Sequence, residues 1–543
     1  MSDPSEGAGP GRVPIPENTA EIRKAAVRQP TKTPMPMQDH EVRSHNFSEV
    51  ELGYNFDLAF NESHRCISCG DPKCIPYCPV EINIRGMIDH LKKGDLEAAY
   101  QEIVKTNLFP SITGRVCPQE NQCEMVCVKG IKGQPVGIGY LEKFLADWAR
   151  KNDVHPHANL WPPNGRAVAI IGSGPAGLAA AAELIRLGYR CTIFEALHRP
   201  GGVLLYGIPE FRLPKRIVDF EIENLRRLGV EIICNTLVGR TITLDELQEQ
   251  FDAVMIGTGA GLPYFMGIAG EELSGVYSAN EYLTRANLMN ARSFPSEPTP
   301  IRVGDRVAVV GGGNVAMDGA RVAKRLGAAV VDVVYRRTQV EMPARADEVH
   351  HAMEEGINFL FLHNPVAIYG GEDGWVREME IVRMELGEPD QSGRRRPVII
   401  PDSNFRKPYD VVIMAIGQGP NPLLASLTPY LVTNKWGQLV IDPKNLRVHL
   451  KDDATHRPAE EAAVLAEDAA PTGPDGPVRI PIICAGGDII GSQAGAGGTV
   501  IAAMGHGKIA ARTIHEMLVE RYPELANPLE IAAGAEVGRP GSA

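Results

Sequence analysis

The chain has no excess of basic residues: 55 Lys and Arg face 67 Asp and Glu over 543 residues, a formal charge of −12. That argues against a nucleic-acid surface and favours neither a membrane nor a polyanion as partner. Long apolar runs are missing too. The most hydrophobic stretch lies within residues 167–195, and its apolar runs are too short and too interrupted by glycine to span a bilayer. Residues 1–30 lack the charged-then-apolar pattern of an export signal, so the expected location is cytoplasmic. In such a chain the ten cysteines are expected to be metal ligands or core residues rather than disulfides. No Ser-His-Asp set and no carboxylate pair demands hydrolytic chemistry. The length leaves room for about three or four domains.

What is present is centred on AVAIIGSGPAGLAAAAELIRLGYRCTIFE, residues 167–195. An apolar run suited to a buried strand meets Gly172, Gly174 and Gly177 at G-x-G-x-x-G spacing, with Pro175 and Ala176 between them. A helix pattern and a second strand follow, and the strand ends at Glu195. Gly172 makes the tight turn, Gly174 lets backbone approach a pyrophosphate, and Gly177 lets helix and strand pack closely. The helix N-terminus then offers unpaired N–H groups to phosphate. Glu195, 18 residues past the third glycine, stands where an acid binds ribose hydroxyls. FDAVMIGTGA then runs a buried strand into the small-residue turn Gly257, Thr258 and Gly259, which suits a backbone passing close to a cofactor.

A second such unit begins at RVAVVGGGNVAMDGA, with Gly311, Gly313 and Ala316 at G-x-G-x-x-A spacing and Asn314 opening the helix. Its second strand ends in Tyr335-Arg336-Arg337 instead of an acid. Arginines accommodate a 2′-phosphate where an acid would bind a free hydroxyl. Arg345 is close enough in sequence to join them. The bland alternative is a solvated strand end. YDVVIMAIGQG repeats the strand-to-small-turn pattern and brings Ala415 and Gly417 to the corresponding turn.

Seven cysteines crowd one segment. Cys66, Cys69, Cys74 and Cys78 stand in C-x2-C-x4-C-x3-C-P, and Cys117, Cys123 and Cys127 in C-P-x4-C-x3-C. Short steps ending in Cys-Pro are ferredoxin-like. Zinc is the competing reading, although it favours two separated pairs closing one tetrahedron. Seven thiols cannot supply eight ligands for two [4Fe–4S] clusters, so one ligand is something else or one cluster is absent. Glu142, on the helix expected over 134–150, is a candidate eighth ligand. Residues 82–106 read as a helical stretch between the two motifs. Cys191, Cys234 and Cys484 sit in apolar strands and read as core. PIICAGGDIIG ends a strand at Gly487 and Asp488, where an acid beside a helix opening suits a sugar-like chain such as ribityl. His506 in the closing helix reads as structural.

These residues together carry a resemblance. CISCGDPKCIPYCPV, GRVCPQENQCEMVC, IGYLEK, GSGPAG, GGVLLYGIPEFRLPK, GGGNVAMD, YRR and AGGD make residues 40–520 similar to the small subunit of NADPH-dependent glutamate synthase. The chain also resembles the large subunit of NADH-dependent ferredoxin:NADP oxidoreductase and the N-terminal half of dihydropyrimidine dehydrogenase. The resemblance implies an α/β protein with an N-terminal helical iron–sulfur domain and two interleaved, Rossmann-like, glutathione-reductase-like domains for FAD and NAD(P)H. Residues 1–40, rich in Pro, Gly and charge, read from their composition as a disordered tail or partner-binding arm, and the resemblance implies a two-cluster domain at 41–160. The FAD domain would fall at 161–300 and 426–520; residues 452–478, rich in Ala, Glu, Asp and Pro, have no counterpart in the family and read from composition as a solvated insertion. The NADPH domain would fill 301–425, and a tail 521–543. One [4Fe–4S] cluster would use Cys66, Cys69, Cys74 and Cys127, the other Cys78, Cys117, Cys123 and Glu142. FAD would meet Gly172 to Gly177, Glu195, Gly202, Arg212, Val238, the 257–259 turn, Gly487, Asp488 and Thr499. NADPH would meet Gly311, Gly313, Asn314, Ala316, Arg336, Arg337, Arg345 and the Ala415–Gly417 turn. The implied partner is a protein electron acceptor. It would be a glutamate synthase large subunit or, in the bifurcating relatives, a ferredoxin- or NAD-linked flavoprotein subunit. A redox-inert scaffold is the alternative from another class, and a colourless protein would be its sign.

Overall fold

A computed structural model describes residues 11–156, 160–390, 393–451, 472–473, 476–477, 481–495 and 497–526. The chain forms two compact units. One gathers the residues up to His155 with Gly201–Glu221 and Ala260–Gly419, and the other holds Pro156–Pro200, Ile222–Gly259 and the chain from Pro420 on. The segments at 201–221 and 260–300, expected in the first nucleotide domain, therefore pack with the first unit.

The second unit is built on a parallel five-stranded sheet. Its order is Ile483–Ala485, Ala253–Ile256, Ala167–Ile171, Arg190–Phe194 and Glu231–Ile233. The central strand is buried at all five positions, as continuous apolar runs in parallel sheets require. Helices Pro175–Arg186 and Val500–Arg521 pack on each other beside it, and Gly507 permits their closest approach: a Cβ there would stand 2.2 Å from Ala176 O.

The first unit contains the second parallel sheet, ordered Val276–Ser278, Val411–Met414, Arg306–Val310, Val330–Tyr335 and Asn358–Phe361. An antiparallel sheet of His363–Gly370, Val376–Pro389, Arg395–Ile399 and Phe405–Pro408 adjoins it, which the sequence reading did not foresee. The N-terminal part is helical: Phe56–Arg65, Ile84–Leu91, Leu96–Val104, Pro110–Val116 and Ile138–Lys151. The stretch expected as one helix at 82–106 is two. Gly94 adopts φ +71°, a left-handed turn, and Asp95 caps the second helix through Ala98 N.

The expected tail is not free over its described part. Residues Thr19–Arg28 form a helix, and Ala26, Thr33 and Met35 are buried. Thr33 N–H donates to Glu62 Oε2 at 2.7 Å, and Gln134 N–H to Pro30 O at 2.7 Å. Arg65, itself buried, donates to Glu62 and to the carbonyls of Gln134 and Pro135. Polar partners inside the domain hold an arm whose composition alone could not. Of the insertion expected at 452–478, only the short antiparallel pair Thr472–Gly473 and Gly476–Pro477 is described. The expected C-terminal tail lies outside the described residues beyond 526. No helix among the described residues is long and apolar enough to cross a membrane.

Candidate functional site

In the first nucleotide fold the three glycines do different work. Gly172 turns at φ +97°, and a Cβ on it would stand 2.6 Å from Gly257 O. Gly177 is closed by Gly172 O. A Cβ on Gly174 would meet no protein atom within 4 Å, so the space on that side is open to a ligand. Gly174 caps the helix Pro175–Arg186 without a side-chain bond, which leaves the first-turn N–H groups for a ligand. Glu195 is buried at the end of its strand. It accepts from the backbone and hydroxyl of Ser173 through Oε2, and from Leu197 N–H at 2.8 Å through Oε1. Ser173, inside the glycine turn, is a residue the sequence reading passed over, although its place between two fingerprint glycines marked it. Val238 is buried and Thr258 exposed. Asp488 accepts from Gly498 N–H at 3.1 Å, and burial pushes its carboxyl up. Thr499 caps the closing helix through Ala502 N–H. His506 accepts from Gly487 N–H at 3.3 Å, a structural tie that steadies the Gly487–Asp488 turn.

Gly202 and Arg212, expected at the flavin, belong to the other unit. Arg212 is committed there: it donates to both oxygens of Asp318 at 2.7 and 2.9 Å and pairs with Glu348 at 3.2 Å. Burial works against the Glu348 carboxylate, but Arg212 and Arg321 outweigh it and hold its pKa well below the usual range.

The second glycine turn repeats the first. Gly311 sits at φ +140° against Ala415 O, while a Cβ on Gly313 would meet only Pro343 Cγ, at 3.9 Å. The three expected arginines separate. Arg336 is exposed. Arg337 is buried and donates to Asp390 Oδ2 at 2.8 Å and Arg395 O at 2.7 Å. Arg345 is buried and points into residues 115–120. Residue type suggested three phosphate ligands, and packing leaves one facing solvent.

The cysteines form two neighbourhoods. Cys66, Cys69, Cys74 and Cys127 line one cavity with Ile84, Ile88 and Val136, so the last cysteine of the second motif joins three of the first. Arg85 donates to Cys69 O at 2.9 Å, and Lys92 to Cys66 O at 3.0 Å. These cations, unremarked in the sequence reading, suit an anionic centre. Burial pushes the Cys74 thiol up to about 11, reinforced by Cys66 and Cys127. Cys78, Cys117 and Cys123 form the other group. Burial raises all three thiols, and the Glu142 carboxylate raises each further. Glu142 is itself pushed up to about 7 by burial, against hydrogen bonds from Thr113 and from Asn107 at 3.3 Å. Among the described residues no three His, Cys, Asp or Glu converge where one ion would sit. Soft donors in two groups, half-buried in the first and with Cys117 and Cys123 buried in the second, fit thiolate-held iron–sulfur centres.

Residues 43–154 match the family described as dihydropyrimidine dehydrogenase domain II, 4Fe-4S cluster, and residues 166–452 match pyridine nucleotide-disulphide oxidoreductase. The chain is 38% identical over 382 residues to a glutamate synthase [NADPH] small chain of Halomonas elongata, covering 70% of this chain and 80% of that one. It is 42% identical over 396 residues to the NADP(+)-dependent formate dehydrogenase subunit beta of Moorella thermoacetica, covering 69% of this chain and 54% of that one. The chain thus spans about half of the second relative, and it spans 62% of an Escherichia coli oxidoreductase. Mycobacterium tuberculosis FprA in complex with NADPH shares the fold at a TM-score of 0.51 and 19% identity, over 69% of this chain and 89% of that one.

Proposed function

The chain belongs to the glutamate synthase small-chain family, and we propose that it oxidises NADPH and delivers the electrons to a protein partner, a glutamate synthase large subunit. The observation that carries this reading is the company Cys127 keeps: four thiols from two motifs around one cavity, in a chain with two nucleotide folds. Bound FAD and two [4Fe–4S] clusters would supply the conversion of a hydride pair into single electrons.

The chain's own part is binding and orientation. The open backbone at Gly174 admits the FAD pyrophosphate, with Glu195 poised for a ribose. Gly313 plays the corresponding part for NADPH, and Arg336 offers a planar fork to the 2′-phosphate. Cys66, Cys69, Cys74 and Cys127 would hold one cluster, and Cys78, Cys117, Cys123 and Glu142 the other. Anaerobic purification tests this reading. The expected protein is yellow-brown, releases FAD without FMN on denaturation, carries iron for two cubane clusters, and reduces ferricyanide with NADPH. Zinc in place of iron would overturn the cluster reading.

A further inference from the structure

Arg345 joins two parts of the first unit. Its backbone N–H donates to Asn314 Oδ1 at 2.9 Å, and Asn314 is the first residue of the helix Asn314–Arg325 behind the second glycine turn. Its guanidinium turns the other way. Nη1 donates to Arg115 O at 3.3 Å, Nη2 to Gln119 Oε1 at 3.4 Å, and Nε to Glu120 Oε1 at 3.2 Å. Arg115 O is one of the last carbonyls of the helix Pro110–Val116, at the negative end of its dipole. Gln119 is buried, and Gly139 makes room for it: a Cβ there would lie 2.2 Å from Gln119 Nε2. One side chain thus gathers three acceptors from the segment that brackets Cys117 and leads to Cys123.

We propose that Arg345 is a positioning residue: it ties the second nucleotide turn to the loop carrying Cys117 and Cys123, and its charge raises the reduction potential of the centre those thiolates hold. The inference rests on the iron–sulfur reading above. Reduction adds negative charge to the centre, and a fixed cation nearby favours the reduced form. Glu120, paired with the same guanidinium, partly offsets that cation. The two residues therefore act with opposite sign. The guanidinium is engaged in the loop and is not offered to a nucleotide phosphate.

The test is a redox titration of the anaerobic holoenzyme followed by EPR, beside equilibrium dialysis of NADP+. In Arg345→Gln one cluster signal is expected to move to lower potential while the other stays, with NADP+ affinity unchanged. In Glu120→Gln the same signal is expected to move to higher potential. Arg345→Lys keeps the charge without the fork. Its signal is expected near the wild-type potential, which preserves the test if Arg345→Gln does not fold. Unmoved potentials in Arg345→Gln, or weakened NADP+ binding with both potentials unmoved, would overturn the role given to Arg345 and leave the iron–sulfur reading intact. A wild-type protein with no cluster signal would instead overturn the iron–sulfur reading itself.

Discussion

Gly177 lies against the carbonyl of Gly172: a Cβ on the former would stand 2.0 Å from the oxygen of the latter. A Cβ on Gly174, three residues earlier, would meet no protein atom within 4 Å. The two glycines therefore answer differently to alanine. Gly177→Ala is expected to destabilise the second unit by about 1–3 kcal/mol through overpacking. Gly174→Ala is expected to leave the melting temperature of the cofactor-stripped protein unchanged and to lower FAD content. Equal melting losses in both variants would show that Gly174 is a packing glycine.

Arg336 and Arg337 are neighbours in sequence with different surroundings. Arg336→Ala is expected to raise the KM for NADPH about ten- to a hundredfold, since a charged hydrogen bond is worth about 1.5–3 kcal/mol. The rate with NADH, which has no 2′-phosphate, stays the same. Arg337→Ala removes the side-chain donor to Asp390 Oδ2 and to Arg395 O and is expected to cost stability, affecting both nucleotides alike. Steady-state ferricyanide reduction with each nucleotide separates the two. A wild-type preference for NADH would refute the phosphate role of Arg336.

The two cysteine neighbourhoods predict which substitutions share a phenotype. Cys66→Ser and Cys127→Ser, 61 positions apart, are expected to abolish the same cluster signal. Cys78→Ser, Cys117→Ser and Glu142→Ala are expected to affect the other. Iron analysis with low-temperature EPR reads this directly. Should Cys127→Ser instead share its lost signal with Cys123→Ser, the ligand sets would have to be redrawn along the sequence motifs.

Glu355 supports the first unit from within. Its buried carboxylate pairs with Arg321 at 2.7 Å, Arg325 at 2.6 Å and Arg43 at 3.1 Å. Burial alone would raise its pKa, but Arg325 and Arg321 outweigh that and hold it at about 2. A carboxyl depressed in the folded state stabilises above its unfolded value, 4.5, and that stability is lost as pH falls toward 2. Glu355→Gln is expected to cost about 3–5 kcal/mol at neutral pH, because it takes the carboxylate from buried Arg325 and one of the two from Arg321 and from Arg43. Acid titration of the full chain by circular dichroism should show a shallower fall between those two pH values in the variant than in the wild type. Parallel curves would show that the pair carries no pH-dependent stability.

Both glycine turns were legible in the sequence because their constraint is local. Backbone turning sharply from a buried strand into a helix admits few residues, and the spacing of the glycines records it. The break at Gly94 was equally local and was missed, although the apolar stripe of Ile84, Met87, Ile88 and Leu91 is out of helical register with that of Leu96, Ala99, Tyr100 and Ile103. The antiparallel sheet at 363–408 was hidden for another reason. Its longest strand, Val376–Pro389, has buried and exposed positions without clean alternation, so no period announced it.

Residue chemistry, turn geometry and the crowding of thiols into two motifs were determined by the amino-acid sequence, since each depends on side chains within a few positions of one another. Direction was not. Arg337 and Arg345 have the same chemistry as Arg336, but a buried partner on a distant segment decides where each points. Cys127 stands among its own motif in sequence and among Cys66, Cys69 and Cys74 in space. The arm at 29–35 is held by Glu62 and by Gln134, from 29 to 104 positions away. Only tertiary structure settled these matters, because a hydrogen bond or ion pair between distant segments forms only once packing has brought its two halves together and excluded water.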